Sequence, residues 1–168
     1  MTTFNQLDRR ITTWLAQHGM TILRLSLGIV FFWFGVLKFF PGMSPANDLA
    51  SRTITVLSFG LVPPAISVPA LAAWEVLIGL GLITGVFMRA TIALLLVQML
   101  GTLTPLALFP SETWRVFPIS PTLEGQYIIK NLVLISSALV IGATVRGGTL
   151  VADPRLAKQA AHAEGRQP

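Results

Sequence analysis

Glu75 is an acidic residue within residues 69–88 (PALAAWEVLIGLGLITGVFM), an apolar stretch long enough to cross a lipid bilayer. Two lysines, Lys38 and Lys130, lie in other apolar stretches of the chain. An isolated charge in hydrocarbon costs about 2.5–3.5 kcal/mol on insertion scales, so such residues usually face protein and pair with one another. The sequence therefore predicts that Glu75 meets Lys38, Lys130 or both inside the protein.

The polar and aromatic residues near these three charges define a candidate ligand site. Lysine donates hydrogen bonds and stabilises negative charge that develops on oxygen, whereas a partly buried glutamate relays a proton. A quinone ring requires both, so a quinone or another small hydrophobic molecule is the expected ligand, with Glu75 as the candidate proton carrier. We expect the pocket to be lined by Lys38, Trp74, Glu75, Gln126, Tyr127, Lys130 and Asn131.

Each of the polar residues also has a structural interpretation. Ion pairs of Glu75 can serve as a clasp that holds the helices in register. Lys38 alone can snorkel to the membrane interface, and Arg24 can snorkel inward or bind a lipid phosphate. Gln98 can line the same pocket or hydrogen-bond a neighbouring helix. The sequence leaves these alternatives open.

The composition excludes several kinds of site. Hydrophobic residues make up 53% of the chain and charged residues 11%, against about 25% charged in soluble domains, which is typical of an integral membrane protein. No cysteine is present, so disulfides, thiolate nucleophiles and cysteine-ligated metals are excluded. His18 and His162 lie at opposite ends, so no metal site and no covalently bound cofactor is expected. The net charge of +5 comes from scattered basic residues, and a nucleic-acid partner is not expected.

The hydropathy pattern predicts an all-α protein, an integral membrane four-helix bundle over residues 20–146. An amphipathic helix in the membrane interface is predicted before it (1–19), and a polar cytoplasmic tail after it (147–168). Crossing the hydrocarbon core takes about 20 apolar residues. Four runs meet that length and are predicted to span the membrane: 21–40, 69–88, 90–109 and 126–145.

The segments between the spans carry turn and cap signals. Residues 45–60 are predicted to form a short outer helix with Asn47 as its cap and Gly60 as its stop, on the surface or folded back into the membrane. The proline-rich stretch 62–69 is predicted to be irregular, and Pro105 is predicted to kink the third span.

The distribution of lysine and arginine predicts the orientation of the chain. With both termini on one side, eight of the twelve basic residues lie on or near that side. Because cytoplasmic loops are enriched in basic residues, both termini are predicted to be cytoplasmic in a multi-pass protein of the inner membrane. Lys38, Glu75 and Lys130 then lie towards the outer side of their spans. A helical stripe on the first span that includes Gly28, Gly35 and Lys38 is predicted to face protein.

Three segments also carry a family likeness: LRLSLGIVFFWFGVLKFFP (23–41), WEVLIGLGLITG (74–85) and TLEGQYIIKNLVLI (122–135). Over residues 20–146 the chain resembles the DoxX-like family of small four-helix bacterial membrane proteins. The matching elements are Gly35-x-x-Lys38, Glu75 and the run Glu124–Lys130. PSETW (110–114) is similar to a motif of relatives linked to reactive-chlorine resistance.

The resemblance implies a four-helix bundle in the cytoplasmic membrane. Members of the family include the membrane subunit of a thiosulfate:quinone oxidoreductase, and others are implicated in resistance to oxidants. No cofactor-binding motif carries over to this chain, so the resemblance implies at most a membrane subunit of a quinone-linked oxidoreductase.

Three functional hypotheses follow from the residues and the resemblance. The first is a quinone-linked redox or oxidative-stress-associated membrane component with a polar pocket near the outer leaflet. The second is a non-enzymatic scaffold or anchor for a partner protein, and the third is a small permease. The lipid bilayer is an expected partner in each, joined by a redox partner protein or by further copies of the chain. The absence of an inverted repeat argues against the permease.

Overall fold

Helices account for most of residues 3–164, the part of the chain that the computed structural model describes. Four of them, counting α4 and α5 together, are long and apolar enough to cross a membrane. In chain order the elements are α1 (Thr3–Leu37), α2 (Asn47–Leu57), α3 (Pro64–Thr84), α4 (Met88–Leu103), α5 (Pro105–Leu108), α6 (Pro110–Thr113), β1 (Trp114–Val116), β2 (Ser120–Pro121), α7 (Leu123–Ala143) and α8 (Pro154–Glu164).

Helix α1 is a single helix of 35 residues. At the rise of an α-helix it is about 50 Å long, well beyond the hydrocarbon thickness of about 30 Å. The predicted boundary near residue 19, between an interfacial helix and the first span, is therefore not a break in the described helix, and the position of this segment in the membrane interface stays a prediction. Gly19 costs a helix only about 1 kcal/mol, and no proline separates the amphipathic segment from the first span. Five large apolar side chains on the amphipathic segment remain exposed: Phe4, Leu7, Ile11, Trp14 and Leu15.

Helix α3 begins earlier than the pattern predicted, because its prolines start the helix rather than break it. Pro63 is extended and precedes the helix, and Pro64 occupies its first turn, where a missing N–H is harmless. Pro69 is also helical. The prediction that 62–69 is irregular is therefore wrong. The helix ends at Gly85, which adopts a left-handed φ of 76° that glycine accepts without strain.

The segments that connect the spanning helices contain more structure than predicted. Helix α2 forms within 45–60, but its cap residue is Ala46 and not Asn47. The predicted break at Pro105 is confirmed, since α4 ends at Leu103 and α5 begins at Pro105. Residues 110–125, between the third and fourth predicted spans, contain α6 and an antiparallel hairpin of β1 and β2.

The end of the chain contains one helix more than predicted. Helix α8 lies within the predicted tail 147–168, whose last residues, 165–168, lie outside the described part of the chain.

The core lies between the spanning helices and is formed by Leu27, Phe31, Ile78, Leu82, Ile92, Leu95, Met99, Ala138 and Ile141. Among the described helices, α1 and α3 make the most extensive contact. A Cβ added to Gly28 would lie 2.9 Å from the side chain of Ile83, and one added to Gly35 would lie 2.8 Å from the backbone nitrogen of Val76. A Cβ on Gly79 would overlap the backbone of Phe32. The predicted protein-facing stripe of the first span is thus confirmed.

Candidate functional site

Lys38 and Glu75 form a buried ion pair between the end of α1 and the middle of α3. The Nζ atom of Lys38 lies 2.6 Å from Oε2 of Glu75, and each residue is 8% exposed. Gly35, one turn before Lys38, makes this contact possible, since a Cβ there would lie 2.9 Å from Cβ of Glu75. The helix backbones can therefore approach closely enough for a direct ion pair.

Gln98 of α4 completes the cluster from a third helix. Its Nε2 donates to Oε1 of Glu75 at 2.8 Å, and the residue is 7% exposed. Each carboxylate oxygen of Glu75 thus accepts a hydrogen bond from a different element. We refer to Lys38, Glu75 and Gln98 as the polar cluster. Of the two interpretations of Gln98, the hydrogen bond to a neighbouring helix is confirmed.

The charges of the polar cluster compensate each other. A lone carboxylate inside a membrane bundle is unfavourable, and the lysine cation together with the amide donor offsets much of that cost. The polar cluster also retains groups that can donate hydrogen bonds and exchange protons. Lysine carries further N–H donors beyond the one directed at Glu75, and lysine and glutamate both exchange protons with a bound oxygen group.

Lys130 does not join the polar cluster. It is exposed on α7, with its Nζ 5.2 Å from the ring centroid of Tyr127, and it makes no ion pair with Glu75 within the described residues. The buried face of α7 includes Ile128 and Ala138. A residue two positions after Ile128 points to the opposite side of the helix, so of the two predicted partners of Glu75 only Lys38 makes the contact, and the alternative with Lys130 is wrong.

The remaining predicted pocket residues make their polar contacts, where the structure describes any, with partners other than Glu75. Trp74 is 38% exposed, and its Nε1 donates to the carbonyl of Leu94 at 3.2 Å, which links α3 to α4. Asn131 donates from Nδ2 to Oγ1 of Thr102 at 3.3 Å, which links α7 to α4. Gln126 and Tyr127 are exposed on the first turns of α7.

Arg24 lies towards the opposite end of the α1–α3 contact. Its Nη1 donates to the carbonyls of Leu82 at 2.6 Å and Ile83 at 3.3 Å. These are among the last carbonyls of α3, which have no partner inside the helix, and a cation is favourable at that end of the helix dipole. Arg24 is therefore a side-chain cap of α3, a role that the sequence analysis did not assign to it.

A second ionic cluster joins two of the segments that connect the spanning helices. The guanidinium of Arg52 on α2 binds both carboxylate oxygens of Glu112 on α6, at 2.7 and 2.6 Å, and lies 3.0 Å from Asp48. The central carbon (Cζ) of the Arg52 guanidinium lies 5.3 Å from the ring centroid of Phe109. Hydrogen bonding to Arg52 lowers the pKa of Glu112 below its ordinary value. Sequence reasoning missed this link because 60 residues separate its partners.

The match to a known protein family covers the residues of the polar cluster. The model of the DoxX family matches residues 19–108, more than half of the chain. All three members of the polar cluster lie within the match, whereas α7 lies beyond it. No curated protein and no solved structure matches the chain. The protein is a multi-pass integral membrane protein by its apolar helices and its family match. The chain belongs to the DoxX family.

Proposed function

We propose that the protein binds a quinone head group at the polar cluster and acts as the membrane component of a quinone-linked redox or oxidative-stress system. One observation carries the proposal: a buried lysine–glutamate pair within a membrane bundle, extended by an amide from a third helix. Ionisable residues inside membranes are expensive and most often mark a functional site.

The chemistry of the cluster suits a quinone. This ligand dissolves in lipid and carries two carbonyl oxygens that need hydrogen-bond donors, which the spare N–H groups of Lys38 supply. Reduction adds electrons and protons in equal number, and Glu75 and Lys38 are the groups at hand to exchange protons with the ring oxygens. We assign the binding of the head group and the proton exchange to this chain, and the supply of electrons to a redox partner protein.

We further propose that both termini lie on the cytoplasmic side of the inner membrane. The excess of lysine and arginine on that side supports this orientation. The polar cluster then lies on the outer side of core residues such as Leu82. Glu75 lies about three turns into α3, because that helix begins at Pro64.

Quinone binding tests the proposal directly. The protein in lipid nanodiscs is titrated with a short-chain quinone whose binding is followed by quenching of tryptophan fluorescence. We expect Lys38→Met and Glu75→Gln each to raise Kd at least about tenfold, the effect of a lost charge-assisted hydrogen bond. Lys130→Met is the matched control, since it removes a lysine that the structure places outside the cluster. Unchanged binding in both cluster variants would remove the site.

A membrane scaffold or anchor is the second candidate, and the exposed apolar side chains of α1 favour it. Phe4 is 76% exposed and Trp14 51%, and Arg9 and Arg10 line an open groove beside Trp14. An apolar stripe of this kind suits a partner protein or the lipid interface. Quinone binding separates the candidates: a scaffold binds no quinone in its unmodified form, whereas the loss of thermal stability in Glu75→Gln is expected for both.

A further inference from the structure

Gln98 holds a buried hydrogen-bond acceptor without a partner. Its Nε2 donates to Glu75, but its Oε1 contacts no donor among the described residues, although the side chain is almost fully buried. Buried polar atoms in proteins are nearly always paired, so each exception asks for an explanation. An explanation here must supply a hydrogen-bond donor.

The free atom of this amide is an oxygen because Glu75 fixes the orientation of the side chain. Both carboxylate oxygens of Glu75 are acceptors, one for Lys38 and one for Gln98. Rotating the Gln98 amide by half a turn would place its oxygen against Oε1 of Glu75 and leave that carboxylate oxygen without a donor. The nitrogen of the amide is thereby committed to Glu75, and the acceptor is left for another molecule.

Lys38 supplies the opposite half of the recognition. Its ammonium group has three N–H donors, of which one is directed at Glu75. A ligand oxygen that reaches Lys38 and Gln98 must accept from the first and donate to the second. A hydroxyl group does both, whereas a carbonyl oxygen accepts only and would leave Gln98 unpaired.

We infer that the polar cluster selects a ligand that bears a hydroxyl group, which among quinones means the reduced quinol form. The inference rests on the proposed function, since it names the redox state that the same site prefers. A quinone in this place forfeits the hydrogen bond to Gln98 and leaves a buried acceptor unsatisfied. Such a defect weakens binding by about tenfold or more, so the quinol binds more tightly by that factor.

Binding of one compound in both redox states tests the inference. A short-chain quinone and its quinol, identical in ring substituents and tail, are titrated anaerobically into the protein in nanodiscs. We expect the quinol to bind about tenfold more tightly to the unmodified protein, and the ratio to approach one in Gln98→Met, which removes the acceptor. Asn131→Leu is the matched control, because it removes another interhelical amide, and it should retain the preference.

The outcomes separate this inference from the proposed function. Equal affinity for both redox states in the unmodified protein overturns the inference, leaves quinone binding intact and assigns the Gln98 acceptor to a water molecule. A preference that persists in Gln98→Met also overturns it. Failure of both forms to bind overturns the inference and the proposed function together. Should Gln98→Met fail to fold, the ratio in the unmodified protein still decides the question.

Discussion

At the scale of the residue, the Lys38–Glu75 pair depends on a glycine as much as on charge. Gly35 lets α1 approach α3 at the level of Glu75, and Lys38 follows one turn later. Gln98 then holds the second carboxylate oxygen. Three helices are thus tied at one acidic side chain, and a change in any member leaves another buried polar group unsatisfied.

Removal of one charge from this pair should be costly, and removal of both should not. We expect Glu75→Gln to lower the free energy of unfolding by about 3–5 kcal/mol, because it leaves the buried Lys38 cation without a counter-charge. The double variant Lys38→Met with Glu75→Gln should recover most of that loss. Unfolding in mixed detergent, followed by circular dichroism, measures the single variants Lys38→Met and Glu75→Gln, the double variant and the parent.

These variants form a double-mutant cycle, and one of its outcomes would contradict a coupling between Lys38 and Glu75. Additive losses in the double variant would mean that Lys38 and Glu75 act independently, and that their closeness adds no coupling energy. Couplings between polar groups in membrane helices average about 0.6 kcal/mol. A value well above that average is expected here because both side chains carry a full charge and are 8% exposed.

The sequence correctly indicated Glu75 as the acidic centre of the cluster. Of the two lysines predicted as its partners, only Lys38 makes the contact. Topology places Lys38 and Glu75 towards one side of the bundle, and the glycine stripe of α1 fixes which face Lys38 occupies. Helix α7 has no such stripe. Polar residues such as Asn131 and Ser137 lie on more than one side of it, so its rotation about its own axis could not be read from the pattern, and Lys130 was assigned to the wrong face.

At the scale of the element, the seam between α1 and α3 is set by glycines. Gly79→Ala should destabilise the protein by about 1–3 kcal/mol, the usual cost of overpacking, because the new Cβ would overlap the backbone of Phe32. Gly101→Ala is the control. Gly101 is also helical, but no atom lies within 4 Å of its added Cβ, so this change should be neutral or stabilising by up to about 1 kcal/mol. Unfolding in detergent compares the stability of Gly79→Ala with that of Gly101→Ala. Equal effects would contradict the claim that glycines set the contact between α1 and α3.

The link between α2 and α6 should depend on pH. Because Arg52 lowers the pKa of Glu112, the pair stabilises the fold fully above the ordinary glutamate value of 4.5 and loses this effect as pH falls through the lowered value. The difference in Tm between the parent and Glu112→Gln should therefore be largest at neutral pH and vanish in acid. It should be small throughout, since both side chains are about two-fifths exposed.

The control for this profile is Glu124→Gln, which removes an exposed carboxylate that has no ion pair among the described residues. Its Tm should follow that of the parent at every pH. A difference for Glu112→Gln that grows in acid would have the wrong sign for a salt bridge with a lowered glutamate pKa.

The four spanning helices were predictable because each contains about 20 apolar residues, a strong signal. Their ends were less so. Proline starts a helix as readily as it stops one, so the sequence around Pro64 did not reveal where α3 begins. Strands of three and two residues are too short to show alternation, which is why the hairpin was missed.

At the scale of the whole molecule, the proposed orientation predicts which loops face the outside. The chain contains no cysteine, so single cysteines can be introduced without altering others. In intact cells a membrane-impermeant maleimide should label Ile119→Cys, at an 82% exposed position in the hairpin, and should label Leu156→Cys in α8 only after the membrane is opened. The reverse pattern would place both termini outside.

The family match and the polar cluster agree in their extent. Residues 19–108 include the spanning part of α1 together with α3 and α4, the three helices that meet at Glu75. Helix α7 supplies core residues such as Ala138 and Ile141 but no member of the cluster. The polar cluster is thus formed by the first three spans, and the fourth contributes to the hydrophobic core beside them.

The glycine contacts have one more consequence, for the route by which a lipid-borne molecule would travel to Lys38. Where α1 and α3 touch through Gly28, Gly35 and Gly79, no gap is left between them through which a ring or an acyl tail could slide. The contact between α1 and α3 therefore offers no entry at these positions. A lipid-borne ligand of the polar cluster would therefore have to enter elsewhere than between these glycines, for example on the side where α4 contributes Gln98.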